Sequence, residues 1–191
     1  MDEEQLVLGL KRRDSAAVEA LVASCGDRLF RSACLLCGDP TEAQDLVQDT
    51  LLETIRSAHR FQGRSSLYTW LHAILLNLAR HHHRKRRRLV YDEQAAQQEV
   101  APMEETPSPA DATLSSSALA HALGQLSGPH REVLILRFYE NMKVREIATH
   151  LGISKGTVKS RLHYALAEMQ RLLPNEMNLF GAADTKEIVE Q

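Results

Sequence analysis

Val144-Arg145-Glu146-Ile147-Ala148-Thr149-His150-Leu151-Gly152-Ile153-Ser154-Lys155-Gly156-Thr157-Val158 is the stretch whose reading decides the fold. Val144, Ile147, Ala148 and Leu151 recur at helical spacing and make one apolar stripe on a short helix. Gly152 supplies the permissive backbone that a tight turn needs, Ile153 closes the turn, and Ser154 is suited to cap the helix that follows. In that second helix Val158, Leu162, Ala165 and Met169 face inward. Lys155, Thr157, Lys159, Ser160, Arg161, His163 and Tyr164 face outward, a set suited to phosphates and base edges in a major groove wide enough to admit one helix. The pattern predicts a helix-turn-helix. Lys and Arg on an exposed helix are ordinary, but a short helix, a Gly turn, a capping Ser and a basic second helix together are more specific than any one of them.

The rest of the chain reads as helix too. Only 5% of the 191 residues are aromatic, which suits bundles packed with Leu, Ile, Val and Ala better than strand-rich sandwiches. A first helix begins near Glu4 and breaks around Arg13-Asp14, where Asp14 can cap a second from about Ser15 to Leu36. Gly38 ends it. Asp39-Pro40-Thr41-Glu42 has an N-cap residue, Pro at the first helical position, and a carboxylate where a capping box places one. The helix it starts turns Ala43, Val47, Thr50, Leu51, Thr54 and Ala58 one way and Asp45, Gln48, Asp49 and Leu52 another. After the short loop Phe61–Ser66, Leu67, Trp70, Leu71, Ile74, Leu75 and Leu78 form a continuous apolar stripe. Tyr68, His72, Asn77, Arg80 and Arg84 are expected on the far side of that helix.

Charge is unevenly spread. The formal net charge is −2, yet Arg80 to Arg88 reads R-HHH-R-K-R-R-R, while Tyr91 to Asp111 carries Asp92, Glu93, Glu99, Glu104, Glu105 and Asp111 with no Lys or Arg. With Pro102, Pro107 and Pro109 and few large apolar residues, the acidic stretch cannot bury enough surface to offset its ordering entropy and is expected to be a flexible linker. The expected organisation is therefore all-α: two small helical domains at 1–89 and 114–173, an acidic linker at 90–113, and a tail at 174–191. No stretch approaches the roughly 20 apolar residues of a membrane span, and Asp2, Glu3 and Glu4 do not resemble the basic start of a signal peptide. A cytoplasmic protein without direct membrane insertion is expected. Cys25, Cys34 and Cys37 are odd in number and lie within helical patterns, a poor disulfide framework.

No paired-carboxylate site, nucleophile elbow or phosphate-cradling loop is present, so no enzyme, catalytic residue or cofactor is expected. Metal is not expected either. His81, His82 and His83 point about 100° apart on a helix and cannot converge on one ion. Cys34 and Cys37 stand one helical turn apart and could ligate or form a redox pair; with no second pair in the sequence, small core residues are the better reading.

Asp45-Leu46-Val47-Gln48-Asp49-Thr50-Leu51, then Phe61-Gln62-Gly63-Arg64-Ser65-Ser66-Leu67-Tyr68-Thr69-Trp70-Leu71, then Asn77-Leu78-Ala79-Arg80 closely resemble the core of extracytoplasmic-function sigma factors. Leu126 to Leu172 resembles the second domain of the same family. The resemblance implies a protein that binds core RNA polymerase, directs it to promoters and helps open them. It implies that Asp45, Gln48 and Asp49 dock on the clamp of the largest polymerase subunit, where carboxylates can meet Arg in charge-assisted bonds. It implies that the loop carrying Phe61, Arg64, Ser65 and Ser66 takes up an unstacked, single-stranded base of the minus-ten element, and that Asn77, Arg80 and Arg84 meet duplex DNA beside it. Phe61 and Trp70 suit a hydrophobic core equally well.

By the same resemblance Lys155, Thr157, Lys159, Ser160, Arg161, His163 and Tyr164 would bind the minus-thirty-five element. An anti-sigma factor is an implied partner. Tyr164 and Leu166 stand where the family often has two further arginines, which leaves the sequence preference of that helix open. A stand-alone helix-turn-helix regulator would account for the second domain, but not for the acidic helix, loop and basic helix of the first.

Overall fold

A computed structural model describes the backbone of residues 2–96 and 114–173 and the side chains of 2–84 and 118–173; among these residues there are helices and turns and no strand. The expected stretch 90–113 therefore lies mostly outside the described residues, as does the tail from 174.

The first domain contains α1 (Glu3–Arg12), α2 (Ser15–Cys37), α3 (Pro40–Ser57), a short 3-10 turn (Ala58–Arg60) and α4 (Leu67–Ala96). The helix starts are fixed by acids, at Asp14 and Asp39 as the sequence predicts and at Asp2 besides. Asp2 accepts from the Gln5 amide, Asp14 from that of Ala16 and Asp39 from that of Glu42, each satisfying one of the amides that a helix start leaves unpaired. α1 crosses α2 so closely at Gly9 that a Cβ there would lie 2.5 Å from Cβ of Ala17. Beneath α1 and α2 the core contains Leu6, Leu10, Leu21, Leu67 and Leu71; further along, Leu29, Ala33, Ala43, Leu46 and Leu75 form a second buried layer. Thr50 and Thr54 can be buried in α3 because their hydroxyls donate to the carbonyls of Leu46 and Thr50, one turn back, at 2.7 Å. α4 runs to Ala96, so the first residues of the stretch expected as linker continue the helix.

The second domain contains α5 (Leu114–Gln125), α6 (Gly128–Leu134), α7 (Val144–Leu151) and α8 (Lys155–Leu172). Between α6 and α7 the chain makes a π turn over Ile135–Tyr139 and then passes through Asn141 at φ 54°, a left-handed conformation that Asn tolerates better than most residues. Val133, Leu136, Ile147, Val158, Leu162 and Ala165 are fully buried in one core.

That core does not belong to the second domain alone. Leu76 of α4 is 2% exposed and lies in the same cluster, with Leu35 and Leu36 of α2 packed against it. Arg131 reinforces the junction by donating to the carbonyl of Leu36 near the end of α2 and to those of Gly124 and Leu126 near the end of α5. A cation suits these positions because helix C-termini leave carbonyls unpaired and carry partial negative charge. The two domains are thus packed together, not held apart.

Candidate nucleic-acid interface

α7 and α8 form the helix-turn-helix that the sequence predicts. The Lys143 amide donates to the Glu146 carboxylate at 2.8 Å to start α7. Gly152 takes φ 66°, where a side chain would be strained, and Ser154 accepts from the Thr157 amide at 3.0 Å to start α8. Lys155, Ser160, His163 and Tyr164 are exposed on α8, while Thr157, Lys159 and Arg161 are half-buried. Two of these residues also serve the helix itself. The Thr157 hydroxyl shares a hydrogen bond with Ser154 at 2.8 Å, and Ser160 donates to the Thr157 carbonyl at 3.0 Å. Tyr164, 63% exposed, lies nearly parallel to His130 with ring centroids 6.5 Å apart. Leu166 is buried in the core, which accounts for an apolar residue there.

In the loop, Arg64, Ser65 and Ser66 are exposed and Gly63 takes φ 69°. Ser66 caps α4: its oxygen accepts from the Thr69 amide at 3.2 Å. Phe61 is only 9% exposed, and its ring packs at 5.3 Å from that of Trp70. Phe61, Gln62 and Gly63 nevertheless line one side of an open cleft of about 590 Å³, whose other wall is Glu3, Glu4, Val7, Leu8 and Lys11 of α1.

On α3, Asp45, Gln48 and Asp49 are exposed above the buried Ala43, Leu46 and Thr50. Asp49 has His82 of α4 3.6 Å away. Cys34 and Cys37 are free, and their thiols are pushed up, Cys37 to about 11, chiefly by burial and then by nearby carboxylates. High thiol pKa values disfavour the thiolate that metal binding and redox exchange require. No cluster of metal-ligating side chains occurs among the described residues.

The far side of α4 is where expectation and structure part. Asn77 and Arg84 are exposed as expected, but His72 is fully buried, and Tyr68 and Arg80 are half-buried. The reason is the second domain, which covers this face. Arg80 donates from Nε and Nη2 to the two carboxylate oxygens of Glu132 at 2.7 and 2.6 Å. One carboxylate oxygen of Glu140 accepts from the Tyr68 hydroxyl at 2.9 Å, and the other pairs with Arg28 of α2 at 2.6 Å. The Arg28 guanidinium also lies 4.1 Å from the Tyr68 ring centre, in cation–π range.

His72 sits at the centre of this contact. Its Nε2 is 2.7 Å from the Ser32 hydroxyl and 3.4 Å from Glu140, and its Nδ1 is 3.3 Å from Nε2 of His150 on α7. Burial, then the neighbouring His150 and Arg28, hold His72 down to about 3. Burial and then Arg80 hold His150 to about 4. Both rings are neutral at pH 7. One tautomer that fits these distances directs Nε2–H of His72 at Ser32 and Glu140 while its Nδ1 accepts from His150.

Glu132, Glu140, Arg28 and His150 were not singled out from the sequence, nor was Leu76. A signal was available: Tyr68, His72, Leu76 and Arg80 recur every four residues, as do Glu132, Leu136 and Glu140. Both series mix charge with Leu, so neither reads as a conventional apolar stripe.

Two family models match the chain: Sigma-70 region 2 over residues 21–89 and Sigma-70, region 4 over 116–169. ECF RNA polymerase sigma factor SigL of Mycobacterium tuberculosis is 34% identical over 173 residues, covering 87% of this chain and 94% of its own. RNA polymerase sigma-E factor of Streptomyces coelicolor is 34% identical over 160 residues, covering 81% and 85%. Among solved structures, the sigma factor RpoE in complex with the anti-sigma factor NepR from Bartonella quintana matches with a TM-score of 0.69 and 31% identity, over 83% of this chain and 96% of that one. CnrH in complex with the cytosolic domain of CnrY matches with a TM-score of 0.65 and 26% identity, over 91% and 98%.

Proposed function

The chain belongs to the extracytoplasmic-function sigma factors, which direct bacterial RNA polymerase to promoters, and on that premise we propose how its own residues divide the work. Asp45, Gln48 and Asp49 dock on a basic face of core polymerase. Phe61, Arg64, Ser65 and Ser66 contact an unstacked base of the minus-ten element, with the cleft that Phe61 lines between the loop and α1 beside them to receive it. Asn77, Arg80 and Arg84 hold the duplex phosphates next to it, and the exposed residues of α8 enter the major groove at the minus-thirty-five element. Each DNA contact is weak alone, but joining the two raises the effective concentration of the second once the first has formed.

The protein does no covalent chemistry in this scheme; it positions polymerase and stabilises an opened strand. It acts in the cytoplasm, in keeping with the absence of any described helix long and apolar enough to cross a membrane. RpoE and CnrH were each solved with a partner, the first with an anti-sigma factor, and by analogy this chain takes an anti-sigma partner of its own.

The observation that carries the reading is the exposure of Asp45, Gln48 and Asp49 on α3 while the opposite face of that helix is sealed in the core. An acidic surface held on a rigid helix can meet a complementary basic one without reordering. Run-off transcription from a randomised promoter library, with purified core enzyme plus this protein, tests the assignment. Initiation from a shared two-part sequence is the expected result; no promoter-dependent product from folded protein would overturn it.

A further inference from the structure

Among the described residues no large hydrophobic side chain is more exposed than that of Tyr164, yet its ring is not loose. The ring of His130, in the first turn of α6, lies nearly parallel to it, with 20° between the planes and centroids 6.5 Å apart. That of His163 meets it edge-on at 5.6 Å. Both are arrangements that aromatic pairs prefer. His130 is itself tied down, because its Nδ1 lies 3.5 Å from Oε2 of Glu168, one turn beyond Tyr164 on α8. From α6 it therefore spans two successive turns of one face of α8. The two helices hold it in place, since Val133 of α6 and Leu162, Ala165 and Met169 of α8 are sealed in one core.

An exposed tyrosine ordinarily samples several staggered rotamers, and ordering it on binding costs entropy. Here the two imidazoles order it beforehand. What such a ring can select follows from its chemistry. It lacks the paired donors with which Arg grips O6 and N7 of guanine, whereas its apolar surface suits the C5-methyl group of thymine.

We propose that Tyr164 reads thymine in the minus-thirty-five element, and that His130 is the positioning residue that aims its ring. The consequence is a preference for an A·T pair at one position of that element. The inference rests on the reading of α8 as the helix that enters the major groove, and deepens it by naming the base that one side chain selects.

Holoenzyme assembled from the full chain and core polymerase, transcribing a library randomised through the upstream element, reports the base preference at every position together. Wild type is expected to select an A·T pair at one position that Tyr164→Ala leaves unselected and Tyr164→Arg moves towards guanine. A changed preference, unlike a lost one, cannot come from a damaged fold. Replacing thymine there with deoxyuridine removes only the methyl group and should weaken duplex binding about fourfold; equal binding of the two duplexes would overturn the methyl contact. His130→Ala should weaken the preference at that position alone, and His130→Phe, which keeps a ring to stack on, should restore most of it. If Lys159→Ala and Arg161→Ala weaken duplex binding but no position responds to Tyr164, the thymine assignment is overturned while α8 stays on DNA. If those two variants change nothing either, α8 is not the reading helix and both conclusions fall. A preference that follows Tyr164 but survives His130→Ala overturns the positioning role.

Discussion

The Tyr68 hydroxyl and Oε1 of Glu140 lie 2.9 Å apart across 72 residues of sequence, one on α4 and the other just past the π turn. The bond joins a half-buried phenol to a fully buried carboxylate, so its loss leaves that charge with one fewer donor in a setting that water cannot repair. Hydrogen bonds to charged groups contribute about 1.5–3 kcal/mol. Tyr68→Phe should lower the stability of the full chain by about that amount in urea unfolding. An unchanged midpoint would show that Arg28 and His72 suffice for Glu140.

Acid should weaken the same contact. His72 and His150 titrate near 3 and 4 in the packed form, against an ordinary 6.5. Below about 6.5 the unfolded or opened chain binds protons that the packed form excludes, so stability falls as pH drops, and it levels off only below the depressed values. The groups facing the pair are Glu140, Arg28, Tyr68 and Ser32 around His72, and Arg80 with Glu132 near His150; none supplies enough negative charge to offset burial. Each histidine contributes a slope of about 1.4 kcal/mol per pH unit where only the open form is protonated. Denaturation midpoints measured from pH 7 to 5 should fall, and His150→Gln should flatten the curve. A flat wild-type profile would contradict the assignment of neutral, buried rings.

Asp49 is half-exposed, and its neighbour within the chain is His82 at 3.6 Å. Reversing its charge should leave the fold intact, since exposed ion pairs contribute at most about 1 kcal/mol. Asp49→Arg should nevertheless weaken capture by core polymerase at least tenfold if a basic face receives α3. Equal capture by wild type and variant, with equal melting, would remove Asp49 from the docking surface.

On α8, Lys159→Ala and Arg161→Ala should each weaken duplex binding. If the lost contact is to phosphate, the slope of log affinity against log salt should fall by about one. A loss of affinity with the slope unchanged would assign the residue to a base edge instead.

Periodic apolar residues and helix caps made most of the fold legible. Asp14, Asp39 and Ser154 do what their side chains suggest in any sequence, and the inward residues of α8 are buried as the spacing required. What stayed hidden was the partner of a polar face. Tyr68, His72 and Arg80 look solvent-facing because their chemistry permits it, and nothing local says that Glu132 and Glu140 will meet them from the next domain. Phe61 illustrates the opposite limit: an aromatic residue at a loop edge suits a core and a nucleotide equally, and here it both packs on Trp70 and lines the cleft.

The π turn over Ile135–Tyr139 makes the contact between the two domains vulnerable in a particular way. It holds one residue more than an α-helix would need, and each helical residue turns the chain by about 100°. Deleting a single residue there could leave an unbroken helix of ordinary geometry, yet swing Glu140 away from Tyr68 and Arg28. Drift in length at this one spot, without any change of side chain, would release the Glu140 end of the contact while leaving Arg80 on Glu132 and Arg131 on Leu36, giving natural variation a route to a looser junction.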